Sequence, residues 1–354
     1  MAKLTVAHVN LARGFRGGER QTEILISQLS KKGVDQIFIC RAGSPMVEHL
    51  NDVAGLEIIE LKKVIDLRLC GHKLLSKRCD LIQAHETRAA QWAYVHFKLY
   101  GVPYVVTRRV PELVRNNFFN REIYKKAIAI VSVSKCIAAY LRKEFGVNVE
   151  VIPDAAFDFK INHENVQRLR TRFGDRYVIG HVGALVDVHK GQSTLIRAAH
   201  LLKQRIPSLQ VLFLGTGKDG CVLKKLATEL LEDKEVSFVG FVDNVGDYLQ
   251  VMNVFAYPSN YEGLGSVLLD VMEQGVPVVA SNVGGIPEII QNEKTGLLVE
   301  SGDEKALASA ILRVYESKEL RCYLIQEAKK TAVNYLPSIM AGKYFDLYSN
   351  KLNN

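Results

Sequence analysis

The chain has 354 residues, 48% apolar and 24% charged, with a net charge of +8. This is the mixture of a water-soluble enzyme of about two domains, which excludes a small single module, a fibrous protein and wholesale disorder. No apolar run reaches the roughly 18 residues of a spanning helix, and six cysteines without a CxxC pair read as buried reduced thiols rather than a disulfide frame or a zinc site.

The amino terminus, MAKLTVAHVNLARG, breaks its apolar stretch with His8 and Asn10, so a signal peptide is not expected and a cytoplasmic location is. Residues 3–10 predict a strand, followed by the glycine loop RGFRGGERQ and an amphipathic helix through Ile24, Leu25 and Leu29 that stops at Gly33. Further strands are predicted over 36–40, 80–84, 104–107 and 128–132, with a helix through Trp92 and Phe97. Composition turns polar and charged over 153–176, which marks a hinge. A second series follows, with strands at 177–182, 210–214, 237–239, 254–257 and 277–280. Pro337 breaks the last helical run, leaving 338–352 as a separate closing helix.

Strands alternating with helices imply an α/β chain of two doubly wound, mostly parallel sheets covered on both faces. The domains are placed at 1–160 and 161–336, with 337–354 as the closing helix, and a cleft between facing domains is the default active site. Residues 1–160 carry a net +9 and the remainder −1. That asymmetry suggests an anionic partner for the first half: an acidic membrane face, a phosphorylated glycolipid or nucleic acid. Arg115, Phe118, Phe119, Arg121, Tyr124, Lys125 and Lys126 fit either a helical face resting among lipid headgroups or a solvated helix with its aromatic side in the core.

The densest segment is PSNYEGLGSVLLDVMEQGVPVVASNVGGIPEII, residues 258–290. Glu262 precedes Gly263 and Gly265, and a helical pattern starts near Ser266 with Val267, Leu268, Val271 and Met272. Glycines at a strand-to-helix junction let backbone N–H groups approach a ligand, and the helix dipole favours an anion there. Tight turns and caps also select glycine. Asp270 follows Glu262 after seven residues, and a second glycine junction occupies 283–287.

With EGLGSVLLD set against the Glu-x7-Glu motif, the chain resembles the glycosyltransferase family 4 enzymes. RGGER, VGALVDVHKGQSTLIRA, LFLGTG, VGFVDN, VGGIPEI and TGLLV extend the likeness, in order, over nearly the whole chain. The resemblance implies a GT-B fold of two Rossmann-like domains and a retaining transfer from a nucleotide-diphosphate sugar. The donor would sit in the second domain and the acceptor in the first. It implies catalytic roles for Lys190, on the diphosphate, and Glu262, on sugar hydroxyls. Asp270, where the family usually has Glu, would hold the ribose. Gly17, Gly18, Val242 and the backbone of Gly265, Ser266 and Val267 would complete the donor site. Ala184 stands where the family often has Arg, leaving Lys190 with the adjacent His189. Arg109 stands where relatives place a His. With Arg108 beside it, it implies an acidic acceptor, since arginine clamps phosphate or carboxylate and is a poor base. Arg16 in the glycine loop either adds positive charge there or is solvated, and His85, at the carboxyl end of the strand 80–84, fits either the acceptor pocket or a satisfied structural histidine.

No cluster of Asp, Glu, His or Cys suggests a dedicated metal site, so no metal or other cofactor is expected beyond the sugar nucleotide. The expected acceptor is a surface glycan or lipid-linked sugar, such as a lipopolysaccharide core, with peripheral contact to the inner face of an anionic plasma membrane. The alternative reading is a non-catalytic nucleotide-sugar-binding assembly subunit. GTGKDG at 215–220 also matches a dinucleotide fingerprint, but no acid follows at the proper distance. A nucleic-acid partner is not expected, because no recognisable module accompanies the basic half. Glu86 is a further candidate for the acceptor pocket, and Glu273 reads as a solvent-exposed helix residue.

Overall fold

A computed structural model of the protein describes residues 4–62, 66–111 and 114–353. Lys3, where the first strand was expected to begin, lies outside them. The chain forms two units: residues up to Ala155 together with those from Tyr335 onward, and residues Ala156–Asn334.

The first unit is built on seven parallel strands: β1 (Thr5–Asn10), β2 (Asp35–Arg41), β3 (Leu56–Leu61), β4 (Leu81–Ala84), β5 (Tyr104–Arg108), β6 (Ala129–Ser132) and β7 (Glu150–Val151). Their order is β3-β2-β1-β4-β5-β6-β7. The central strands are buried on both faces because helices cover both, with β4, β5 and β6 buried throughout, although His8, Gln83, Thr107 and Ser132 place polar groups among the apolar ones. β3 escaped the sequence reading because Glu57 and Glu60 interrupt it. In the fold these are the outward positions of a half-buried edge strand.

The helix Gly17–Lys31 buries Ile24, Leu25 and Leu29, as its spacing predicts. The helix Pro337–Leu352 opens on a proline, which lacks the N–H that a first helical turn leaves unused anyway. It packs against Gly17–Lys31, and two of its tyrosines reach the sheet. Tyr344 OH is 3.0 Å from Thr107 Oγ1, and Tyr348 OH donates to Gln83 Oε1 at 2.8 Å.

The second unit has six parallel strands: β8 (Tyr177–Val182), β9 (Leu209–Leu214), β10 (Val236–Gly240), β11 (Val254–Tyr257), β12 (Val278–Ser281) and β13 (Leu297–Val299), in the order β10-β9-β8-β11-β12-β13. Its core joins Ile179, Val211, Phe213, Val254 and Val279 of the sheet to Leu195, Ile196, Ala199 and Leu202 of the helix Gln192–Leu202. In each sheet the strand order reverses once, between β1 and β4 and between β8 and β11. Such reversals leave a crevice at the carboxyl ends of the strands, where open α/β sheets bind ligands.

The two readings of residues 115–126 divide between neighbours. In the helix Phe118–Lys126, Ile123 and Tyr124 are buried, while Phe119 meets Tyr94 edge-on at 5.6 Å and Phe118 is 81% exposed. All six cysteines are free; Cys40 and Cys79 are buried, but Cys221 and Cys322 are exposed, contrary to the expectation for them. Among the described residues no helix is long and apolar enough to cross a membrane.

Candidate active site

After β8 the chain turns through a short helix, Asp187–Lys190, which Gly191 ends in the left-handed region at φ +62°. Only glycine fits there, because a Cβ would stand 2.1 Å from the Pro258 carbonyl oxygen. The loop after β11 is laced to this turn, with Asn260 and Tyr261 N–H donating to His189 O at 2.9 and 3.2 Å. Gly284, at φ +56°, supports the same loop from the β12 side, where any Cβ would lie 1.9 Å from Glu262 O. Two glycine turns thus fix Glu262 and Lys190 beside each other.

Lys190 Nζ donates to Glu262 Oε2 at 2.5 Å and to Tyr257 OH at 2.8 Å, and Tyr257 OH donates to Glu262 Oε2 at 2.7 Å. The Lys190 and Glu262 side chains are 21% and 15% exposed, sheltered yet reachable. Burial works against the lysine charge, but the Tyr257 and Glu262 oxygens outweigh it and hold the ammonium pKa above its ordinary value. Lys190 is therefore a cation at neutral pH. Burial, followed by the Glu262 charge, raises the Tyr257 phenol, which stays a neutral donor.

Under this cluster His181 stacks on Tyr257, with ring centres 5.8 Å apart. Its Nδ1 lies 3.0 Å from the Ala256 carbonyl, which can only accept, so Nδ1 carries the proton. Burial lowers this histidine to about 4, leaving it neutral.

Gly265, Ser266 and Val267 lead into the helix Val267–Glu273. Leu268 N–H makes the first turn bond, to Gly265 O at 2.8 Å, so the three preceding N–H groups lie ahead of the ladder. Asp270 is buried, and its Oδ1 accepts from Phe157 N–H at 2.7 Å. Glu273 departs from the exposed position expected of it. It is half-buried, its Oε2 is enclosed with no hydrogen-bond partner among the described residues, and burial, with Asp158 adding to it, raises its pKa. His189 meets Tyr261 edge-on at 6.1 Å, the Ala184 carbonyl accepts from Gln192 Nε2 at 2.8 Å, and Val242 is half-buried in the loop after β10. In the GTG turn, Thr216 O accepts from Leu185 N–H at 3.1 Å, and a Cβ on Gly217 would lie 2.3 Å from Leu185 O. Packing between two loops accounts for that turn without a dinucleotide.

In the first unit, the adjacent arginines at the end of β5 take different partners. Arg108 Nη1 donates to Thr87 Oγ1 at 2.7 Å, whereas Arg109 Nε donates to Asp154 Oδ1 at 3.2 Å. The Arg109 and Asp154 side chains are only 7% and 8% exposed. Arg109 Nη1 also lies 3.3 Å from both the carbonyl and Nδ1 of His85. Arginine only donates, so His85 Nδ1 accepts and its Nε2–H points to His8 Nδ1, 3.0 Å away. Burial, with Arg109 adding to it, holds His85 well below its ordinary pKa; burial likewise takes His8 to about 3. Arg109, expected as an anion clamp, is a buried charge paired with Asp154, and its Nη2 has no hydrogen-bond partner among the described residues.

Arg16 precedes the helix that Gly17 and Gly18 open, with Arg16 N–H donating to Glu19 Oε2 at 3.0 Å. A Cβ on Gly18 would meet Arg109 Cδ at 3.9 Å, which places the glycine loop beside Arg109. Glu86 caps the helix Thr87–Tyr100, accepting from Arg88 and Ala89 N–H at 2.6 Å each. The sequence reading missed Tyr257, which joins Lys190 to Glu262, and Asp154, which matches Arg109. A polar ring closing a strand five residues before Glu262 was the available signal for Tyr257.

Residues 164–331 match the family model for glycosyl transferases group 1, and residues 15–155 match the model for glycosyltransferase family 4. The chain is 34% identical over 186 residues to EpsD of Bacillus subtilis (strain 168), covering 52% of this chain and 49% of that one, so this match spans about half the relative's length. It is 25% identical over 343 residues to the lipopolysaccharide core biosynthesis glycosyltransferase LpsE of Rhizobium meliloti (strain 1021), covering 95% and 96% of the two chains. In structure it superposes on Anabaena HepE, solved in complex with UDP and glucose, with a TM-score of 0.85 at 20% identity over 98% of this chain and 99% of that one. With both halves matched and two parallel-sheet units of the kind these enzymes share, the chain belongs to the family 4-like glycosyltransferases of the GT-B fold.

Proposed function

We propose that the protein is a retaining glycosyltransferase that moves a sugar from a nucleotide-diphosphate sugar to a hydroxyl of a surface glycan or lipid-linked acceptor, such as a lipopolysaccharide core. The observation that carries this reading is the Lys190–Glu262–Tyr257 cluster, at the carboxyl end of the strands where the second sheet reverses. Departure of a pyrophosphate needs positive charge at the leaving oxygens. Lys190 would exchange Glu262 for the diphosphate, with the N–H groups of Gly265, Ser266 and Val267 adding donors. Glu262, released from the lysine, would accept from sugar hydroxyls, and Asp270 would hold the ribose. The bond from the anomeric carbon to the phosphate oxygen breaks while the acceptor oxygen bonds on the same face. Its proton passes to the departing phosphate.

LpsE supports the acceptor class, and the UDP and glucose held by HepE support the donor class. Because the lysine and backbone groups suffice for the charge, we expect turnover to persist in EDTA. We place the first unit on the acceptor side, where the exposed basic face around Phe118 suits contact with an anionic membrane. Thermal-shift measurement against UDP, GDP, ADP and CMP, then assay with the matching donors and NMR of the product anomer, tests the proposal. An inverted anomer overturns retention. The second reading, a nucleotide-sugar-binding assembly subunit, is favoured by Ala184, which leaves Lys190 without the family's second cation; stabilisation by a nucleotide with neither transfer nor hydrolysis of any donor would establish it.

A further inference from the structure

Apart from the His85–Arg109 cluster, the first unit holds two adjoining cavities beyond the carboxyl ends of β1, β2 and β3. One, of about 390 Å³, is lined by Arg13, Arg41, Gly43, Leu61 and Leu67. The other, of about 380 Å³, shares Arg13, Arg41 and Leu67 and adds Asp66, Arg68 and Arg88. Four arginines therefore meet one carboxylate. Arg68 already binds that carboxylate, its Nε lying 3.0 and 2.9 Å from the two Asp66 oxygens, and its Nη1 donates to Gln91 Oε1 at 3.3 Å. Glu86, which might have balanced Arg88, is held by the N–H groups of Leu11, Arg88 and Ala89.

Arg13, Arg41 and Arg88 have no ion pair or side-chain hydrogen bond among the described residues. They come from three separate elements: the loop after β1, the last residue of β2 and the first turn of the helix Thr87–Tyr100. Their convergence is a property of the fold and cannot be read as a run of basic residues. Asp66 and Glu86 act on Arg88 through space without pairing with it, so guanidinium groups still outnumber carboxylates around the cavity, and an anion among them relieves their repulsion while accepting paired N–H bonds. The leucine walls and a volume suited to a small ligand leave room for more than a bare ion.

We propose that Arg13, Arg41 and Arg88 form a binding site for the phosphate or diphosphate group of a phosphorylated saccharide acceptor. The identity of the ligand as acceptor rests on the function proposed above; the anion site itself rests on the cavity. The site accounts for an acidic acceptor without Arg109, whose charge Asp154 already matches.

Titration calorimetry with inorganic pyrophosphate tests the site in a Lys190→Ala background, so that the lysine of the second unit does not compete. Each arginine lost should weaken binding about tenfold, the worth of a charge-assisted hydrogen bond. Lys190→Ala/Arg13→Gln/Arg41→Gln should therefore bind about a hundredfold more weakly than Lys190→Ala. Arg13 is exposed in a loop, so Lys190→Ala/Arg13→Gln, with an unchanged thermal midpoint, should show the single tenfold step even if the multiple variant misfolds. Equal affinities, or no pyrophosphate binding by the Lys190→Ala chain, overturn the proposal. Flotation with phosphatidic acid vesicles against phosphatidylcholine vesicles then separates the sources. Loss of flotation in Arg13→Gln assigns a lipid-borne phosphate, and retained flotation with weakened pyrophosphate binding assigns a soluble one. Thermal stabilisation by UDP or another nucleotide that persists in Arg13→Gln/Arg41→Gln, where the proposed diphosphate seat is weakened, reads the donor side alone. Its absence in the wild type would defeat the functional reading and leave the pyrophosphate result standing.

Discussion

Each unit holds a sheltered ion pair beyond the carboxyl ends of its strands, and the two pairs differ in how firmly they are committed. Arg109–Asp154 is nearly inaccessible and joined to a chain of neutral histidines, whereas Lys190–Glu262 is about twice or more as exposed and closed by a tyrosine that can rotate its hydroxyl. A buried pair whose partner is removed leaves an uncompensated charge, which makes the first a structural commitment. The second can trade its carboxylate for another anion at little cost, which suits a site that receives and releases a diphosphate. The two pairs share one residue chemistry and differ in accessibility, and on the function proposed above that difference would leave the second free to serve turnover.

The largest effect should therefore fall on stability in the first unit. Asp154→Ala should lower the unfolding free energy by about 3 to 5 kcal/mol, as read by urea denaturation, because Arg109 is left buried and unmatched. A loss below about 1 kcal/mol would erase the contrast between the pairs. Next in size, Lys190→Ala should cost about 2 to 4 kcal/mol of transition-state stabilisation, roughly 30- to 1000-fold in kcat/KM, with the thermal midpoint much less affected. Wild-type turnover in this variant removes the lysine from the reaction.

Acid sharpens the comparison further. His181, folded at about 4 against an ordinary 6.5, takes up its proton more readily in the unfolded chain, so the unfolded state binds more protons between those values. Stability is fully present above pH 6.5 and falls as pH drops towards 4, by roughly 3 kcal/mol for this group. His181→Gln should flatten that part of a pH series of chemical denaturation; an unchanged slope would show that the histidine titrates normally. The smallest effect is expected from Tyr257→Phe, which keeps the ring against His181 and removes one hydroxyl between two charges. It should reduce kcat/KM by about tenfold, near 1.4 kcal/mol. A variant indistinguishable from wild type would show that the phenol is only packing.

How far the sequence could be read follows from which forces are local. The strands 177–182 and 254–257 are legible to the residue because parallel strands buried on both faces are nearly continuous apolar runs. Three of the four edge strands are not: β3 carries two glutamates, and β7 and β13 have only two and three residues, whereas the edge strand β10 was read at 237–239. The Lys190–Glu262 contact spans 72 residues and was not legible: the resemblance named each residue separately, and the glycine junctions at 263–265 and 283–287 marked only the Glu262 loop. Around Arg109 the type of side chain was legible and its partner was not. Asp154 sits 45 residues away in a polar stretch that reads only as a hinge. Arg13, Arg41 and Arg88 lie in ordinary surroundings along the chain, and only the turn of the sheet assembles them.

The tyrosines of the helix Pro337–Leu352 carry a consequence for the order of events during synthesis. Thr107 and Gln83 find their hydroxyl partners 237 and 265 residues downstream. Although the first sheet is translated early, and Gln83 Nε2 can already donate to Thr107 Oγ1 at 2.9 Å, the Gln83 Oε1 acceptor waits for its tyrosine until that distant helix has left the ribosome. The unit made first is thus the one finished last, and a stalled or shortened nascent chain would hold it open to chaperones while the second unit is already complete.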